Sequence, residues 1–227
     1  MAIDSYAKLQ SAVSWYANRD DLFAAITNFS PASIDSAVQQ AIALGEITAD
    51  FDINSRGGIK YAETVNNALV TVSQTETVTL PTDFRSVVAF MLTSDPFQIL
   101  TQKNPKDLFG TYTSATVYGK PEAFAIVSTA TAYLRYVPDG IYTMRLIYRA
   151  KLAALSSTNT SNWLLANAPH VYIAAAMVEL CIMLENTDKL QFWKGYYDQK
   201  MNDFMGDDRQ TRWTAVDATP RPYGAIA

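Results

Sequence analysis

The residue types that carry chemistry are scarce in this chain. It has one histidine, His170, and one cysteine, Cys181. Metal sites and base-assisted nucleophiles draw on His, Cys and carboxylate side chains in groups of three or four, so this supply excludes most of both. His170 follows Pro169, which places it in the first turn of a helix as a partly exposed end residue. Cys181 lies in the most apolar stretch of the chain. No cationic neighbour in sequence would lower its pKa, so it reads as a small buried hydrophobe rather than a nucleophile. A lone cysteine allows no disulfide within the chain and fits assembly in a reducing cytosol.

The remaining polar groupings are weaker candidates. Asp20-Asp21 and Asp207-Asp208 are adjacent pairs. On a helix, neighbours point about 100° apart, so neither pair presents two carboxylates to one site and both read as solvated faces. Arg56-Gly57-Gly58-Ile59-Lys60 lacks the Gly-x-x-x-x-Gly-Lys-Ser/Thr spacing that cradles phosphates and reads as a loop. Phe192, Trp193, Tyr196 and Tyr197 with Lys189, Lys194 and Lys200 have the ingredients of a base-stacking surface. Asp188, Asp198 and Asp203 are interleaved with them, which favours helix packing instead. No catalytic, cofactor-binding or metal-binding residue is assigned, and no cofactor is expected. The chain is read as a non-enzyme, with an enzyme using an unrecognised cleft as the lesser alternative.

The elements that would position these groups follow from patterning. The chain has 227 residues, 49% of them hydrophobic and 18% charged, which is a globular composition with a real core. The late segment from Asn162 to Met205 organises it. Between Val171 and Leu184 the only charged residue is Glu179. That run is shorter than the roughly 20 apolar residues a bilayer demands, so it predicts a helix buried nearly all round in protein, with no membrane partner. Asn186 and Thr187 supply a stop and a new N-cap. Leu190, Trp193, Tyr197, Met201 and Phe204 then recur at three and four residue spacing, predicting a second, antiparallel helix.

At the other end, Asp4 or Ser5 caps a helix with a stripe of Tyr6, Leu9, Val13 and Tyr16 that ends near Asn18. A short helix is expected from Asp20 to Thr27. Ser30-Pro31 then starts another, whose apolar face is Ile34, Ala37, Val38, Ala41, Ile42 and Ile47, extending to about Phe51. Gly57-Gly58 breaks it. From Ala68 the period changes to two, with Val70, Val72, Val78 and Leu80 among threonines and serines. Ser86 to Leu92 reads as a buried strand, and Asn104-Pro105 as the start of a short helix ending at Gly110. Phe124 to Ser128 and Ala132 to Val137 form a hairpin. Pro138-Asp139-Gly140 turns into a strand whose Tyr142, Met144, Leu146 and Tyr148 make one dry face.

The fold class expected is therefore α+β, mainly helical. Residues 1–65 and 152–208 form an up-and-down helical bundle, because apolar stripes at both ends lack local partners. Residues 66–151 are an inserted β-rich domain, and 209–227 an extended C-terminal arm. Arg209, Arg212, Trp213, Pro220, Arg221 and Tyr223 in that arm are types enriched at binding hot spots and are the candidate partner-binding residues.

Trp163-Leu164-Leu165 just after the β-rich region, the Ala168-Pro169-His170 linker, the apolar alanine-rich helix and the aromatic-rich helix with alternating charges together resemble the head-to-tail adaptor (connector) proteins of short-tailed bacteriophages. The resemblance lies in the order of features over residues 3 to 205. It implies a structural virion protein in the neck between capsid and tail, assembled in the host bacterial cytoplasm. It implies a twelve-subunit ring that binds the portal and tail or nozzle proteins, with the bundle lining a DNA channel and the β-domain facing outward or towards the tail. Termini that reach the portal or neighbouring subunits also follow from the resemblance. Another tail or head-completion protein is the alternative within the same class. A net charge of -4 and a pI near 5.0 suit a wall along which genomic DNA passes without sequence-specific binding. Met1-Ala2-Ile3-Asp4 lacks the basic and apolar regions of a signal peptide, so export is not expected. Thirteen tyrosines and 10 phenylalanines favour association through surfaces that stay partly wet.

Overall fold

An apolar segment with a single charge must be walled in by other chain segments, and the computed structural model finds those walls at both ends of the sequence. The structure describes residues 3–18, 36–94, 96–110, 117–128 and 130–214, the last four of these as helical backbone only. The described elements are α1 (Tyr6–Ala17), α2 (Ala37–Ser55), β1 (Glu63–Val70), β2 (Thr77–Thr79), β3 (Phe84–Leu92), β4 (Gln98–Ile99), β5 (Thr101–Gln102) and α3 (Pro105–Gly110). There follow β6 (Ala123–Ser128), β7 (Thr131–Arg135), β8 (Thr143–Ala150), α4 (Trp163–Asn167), α5 (Pro169–Met183) and α6 (Thr187–Thr214). They fall into two compact units, Met1–Tyr61 with Leu152–Ala227, and Ala62–Lys151. The protein is thus mixed α+β, and the strand-rich unit starts four residues before the expected 66, because β1 already begins at Glu63.

In the helical unit α5 packs on α1, α2, α4 and α6. Val171 through Met177 are buried without a break, as are Leu180 and Cys181. Ile182, Met183 and Leu184 are exposed, so burial ends one turn before the apolar run does, where the chain leaves the packed layer to turn at Asn186. α2 and α5 approach closely at Gly45. A Cβ there would lie 2.8 Å from the Ala175 carbonyl carbon and the Ala176 nitrogen, so only glycine fits between the two backbones.

Local chemistry sets the helix ends. Ser36 and Gln39 close a capping box: Gln39 N donates to Ser36 Oγ at 3.3 Å and Ser36 N donates to Gln39 Oε1 at 2.7 Å. The expected Ser30-Pro31 start and the Asp20 to Thr27 helix lie outside the described residues. At its other end α2 runs past Phe51 to Ser55 and stops at Gly57 and Gly58, with φ of 99° and 70°. Its buried line runs through Val38, Ile42, Gly45, Ala49 and Ile53. Position 47 projects away from that line, so Ile47, assigned by spacing to the apolar face, is exposed instead.

α6 carries the expected stripe, with Trp193, Tyr197, Met201 and Phe204 buried. It then continues as helix to Thr214, which corrects the extended arm expected from residue 209. Within it Asp208 is 3% exposed and accepts a 2.8 Å bond from Lys60 N. The Asp207-Asp208 pair is therefore no solvated face: one carboxylate is a buried anchor for the loop after α2.

The second unit is a small sandwich of two four-stranded sheets, ordered β1-β8-β3-β4 and β2-β7-β6-β5. Strand β8 buries Met144, Leu146 and Tyr148, as its alternation predicts. They join Phe84, Phe90 and Leu92 from β3 and Phe124 and Leu134 from the other sheet in one core. Phe90 meets Phe124 edge-on, ring centroids 5.1 Å apart, where the inner faces interdigitate. β6 is covered on its other face too, since Leu108 of α3 packs on Ala123 and Ala125. Burial, with the Asp83 carboxylate that accepts its hydrogen bond at 2.9 Å, pushes the Tyr148 hydroxyl up to about 12.

Candidate docking surface

Buried polar groups fix the helices before any surface can be presented. Glu46 on α2 is 6% exposed, and the Tyr172 hydroxyl on α5 donates to its Oε1 at 2.7 Å. Asn162 Nδ2 approaches the same oxygen at 3.1 Å, the Ala153 carbonyl at 2.8 Å and the Tyr172 hydroxyl at 2.7 Å, while its own Oδ1 caps α4 by accepting from Leu165 N. Leu155 N donates to Glu46 Oε2 at 3.2 Å. Burial raises the Glu46 carboxyl and, with the facing carboxylate, raises the Tyr172 hydroxyl strongly. The cluster could pass for an acid-base pair, yet each group is consumed by a neighbour within the core. It is a clamp holding α2, α5 and the segment before α4 in register. A second clamp joins α6 to α2, where Tyr197 OH donates to Asp52 Oδ2 at 2.8 Å and Arg56 bonds Asn202.

On this frame α1 and α6 carry a run of touching rings. Trp15 meets Tyr16 at 5.0 Å between centroids, Tyr16 meets Trp193 at 5.7 Å, Trp193 meets Phe192 at 5.4 Å, and Phe192 stacks on Tyr196 at 6.3 Å. Only Trp193 of these is buried; Trp15 is 75% exposed and Phe192 66%. Two hollows share Tyr16. One of about 300 Å³ lies among Tyr16, His170, Ile173, Phe192, Trp193 and Tyr196. The other, about 510 Å³, runs along α1 past Ala7, Ser11 and Trp15. Contiguous exposed apolar surface of this kind marks a place where another protein segment binds, and Trp and Tyr are the side chains that dominate such contacts. Lys200 stands over the Tyr196 ring at 5.6 Å. His170, at the floor, is held below its ordinary value by burial, with Lys200 acting the same way and Asp203 against it.

The structure divides the aromatic group at 192–197 rather than choosing between packing and display. Trp193 and Tyr197 pack, while Phe192 faces solvent, because positions one apart on a helix cannot share a face. Tyr16, assigned to the core stripe of α1, is 44% exposed. Trp15 went unassigned, though a Trp-Tyr pair at adjacent positions already signals that one ring must leave a narrow stripe. Leu44, Ile47 and Phe51 add a second exposed apolar line on α2. Arg209 is exposed on α6, Arg212 and Trp213 belong to its helical backbone, and Pro220, Arg221 and Tyr223 lie outside the described residues. Cys181 is buried and free, with burial raising its thiol. Among the described residues no three His, Cys, Asp or Glu side chains gather to hold a metal, and no helix is long and apolar enough to cross a membrane.

A sequence-family model described as SU10 adaptor protein matches residues 4–221, nearly the whole chain. No curated protein matches the chain in sequence.

Proposed function

The chain belongs to the SU10 adaptor family of phage head-to-tail adaptors, and from that membership we propose that it forms a twelve-subunit ring that joins the portal to the tail. The family is one of structural proteins of the virion neck that contact portal and tail proteins. The observation that carries the reading is the extent of the match, residues 4–221, which takes in both units and most of the C-terminal segment.

In this reading the helices of both chain ends act as an up-and-down bundle that lines part of the DNA channel. A net charge of -4 supports passage of DNA, because a net negative protein disfavours binding to phosphate. The exposed rings on α1 and α6 support contact between protein surfaces. Arg209, Arg212 and Trp213 in the last turns of α6, with Pro220, Arg221 and Tyr223 beyond it in sequence, are the proposed partner-binding residues. Native mass measurement and negative-stain images of the purified protein, alone and mixed with portal, test the proposal. Rings seated on portal are expected. A monomer that leaves portal bare overturns it.

A further inference from the structure

We propose that the outer face of α2 packs on the outer face of α6 in a second copy of this chain, at the seat that Gly195 and Gly206 leave open. The inference rests on the ring reading above and names the contact that repeats round it. Leu44, Ile47 and Phe51 are exposed at spacings of three and four, which makes them one ridge along α2. Gln40, Ala43 and Asn54 complete that face, which runs about 21 Å without a charge. The helix is not short of charge. Its three carboxylates all turn to partners within the helical unit: Glu46 accepts from Tyr172 OH, Asp50 from Leu152 N at 3.4 Å and Asp52 from Tyr197 OH. A helix facing water keeps charge on its outer side, so a face with its charges turned away and a bulky apolar ridge outside suits cover by an uncharged surface.

α6 carries such a surface. Gln191, Gly195, Gln199 and Gly206 share one exposed face and none is charged; Asn202, on the same face, is taken by Arg56. Glycine is the poorest helix former after proline, and nothing lies within 4 Å of a Cβ built at Gly195 or Gly206, so among the described residues nothing in the subunit calls for it. A ridge laid along this face from outside does, because the missing side chains let it approach the helix backbone. The chain's own ridge cannot be the occupant. The side of α2 that meets its own α6 carries Asp52 and Arg56, which bond Tyr197 and Asn202. These lie about 140° and about 180° round the helix from Ile47, so the ridge faces away from α6 within one compact unit. A second copy brings the two faces together. Because they differ, the contact is head to tail, and its repetition closes a ring when the rotation allows.

The test places a photo-crosslinking phenylalanine at position 51 of the full-length protein, with portal present and with isotope-labelled and unlabelled chains mixed to tell contacts between copies from contacts within one. A ladder of copies crosslinked to peptides between Gln191 and Gly206 is expected. Ile47→Glu spoils the ridge and Gly195→Lys fills the seat. Both positions lie in open surface, so melting temperature should not fall, while each variant alone should cut the ladder about tenfold or more, the scale of a hot-spot loss. Mixed in equal amounts, each variant supplies the face that the other lacks, and crosslinking should stop at two chains. Crosslinks within one chain, to portal only, to another surface of the copy, or none at all, overturn the inference, as does an undiminished ladder in either variant or a mixture that yields no pair or runs past two chains. Negative-stain images of the same samples keep the two readings apart: rings without the crosslink from α2 to α6 overturn only this inference, and copies so crosslinked without rings overturn only the ring.

Discussion

The Tyr172 hydroxyl donates to Glu46 Oε1 at 2.7 Å across 126 positions of sequence, tying the N-terminal helix pair to the C-terminal one inside the core. Breaking this bond leaves a buried acceptor or donor without its partner, which costs about 1–3 kcal/mol per group. Tyr172→Phe should therefore destabilise the helical unit by about 1–3 kcal/mol. Glu46→Ala, which strands Tyr172, Asn162 and Leu155 together, should cost more, about 3–5 kcal/mol. Urea unfolding followed by far-UV circular dichroism measures both, and equal effects below 0.5 kcal/mol would mean that water reaches the cluster.

Glu46 also gives the protein a pH signature. Burial holds its carboxyl above the ordinary 4.5, aided by the charge of Asp50 and opposed by the three donors. A raised folded value means the folded state binds the proton more tightly than the unfolded one. The stability from this group is fully present below pH 4.5 and is lost as pH rises through the raised value. Glu46→Gln does not titrate. The wild-type melting temperature minus that of Glu46→Gln should thus fall as pH rises from 4.5, in calorimetry at matched salt. A difference that grows with pH would show that the donors hold the carboxylate charged.

Three helical glycines should respond with opposite signs. At Gly45 an added Cβ meets backbone atoms at 2.8 Å, so Gly45→Ala should separate α2 from α5 and cost about 1–3 kcal/mol despite alanine's better helix propensity. Gly195 and Gly206 on α6 have nothing within 4 Å of the same position. Gly195→Ala and Gly206→Ala should each stabilise by about 0.5–1 kcal/mol. Denaturant midpoints of the three variants decide the matter, and stabilisation by Gly45→Ala would remove the close approach.

The sandwich should fold alone. Its first and last strands pair antiparallel, with Glu63 opposite Arg149, so both chain crossings lie side by side and excision strains nothing. A fragment of residues 62–151 should unfold cooperatively, and Phe90→Ala within it should cost about 3–5 kcal/mol through the cavity it leaves. A fragment without dispersed amide signals in its NMR spectrum would show that the helical unit is required.

By itself the sequence determined what local chemistry controls. The alternation of Met144, Leu146 and Tyr148, the Asn104-Pro105 start of α3 and the stripe from Trp193 to Phe204 each depend on neighbours within a few residues, and each is where patterning puts it. Asn186, read as a stop, instead caps the start of α6 by accepting from Lys189 N, and α5 already ends at Met183. The adaptor resemblance was legible too, because it resides in the order of such elements. Only the tertiary structure decided which polar groups go inside and which rings stay out. Glu46 and Asp208 are buried because Tyr172, Leu155 and the Lys60 amide meet them from distant segments, and no local pattern encodes those partners. Trp15, Tyr16 and Phe192 stay largely exposed on α1 and α6. Periodicity sets the direction a side chain points along its own element; whether something waits there depends on how the elements pack.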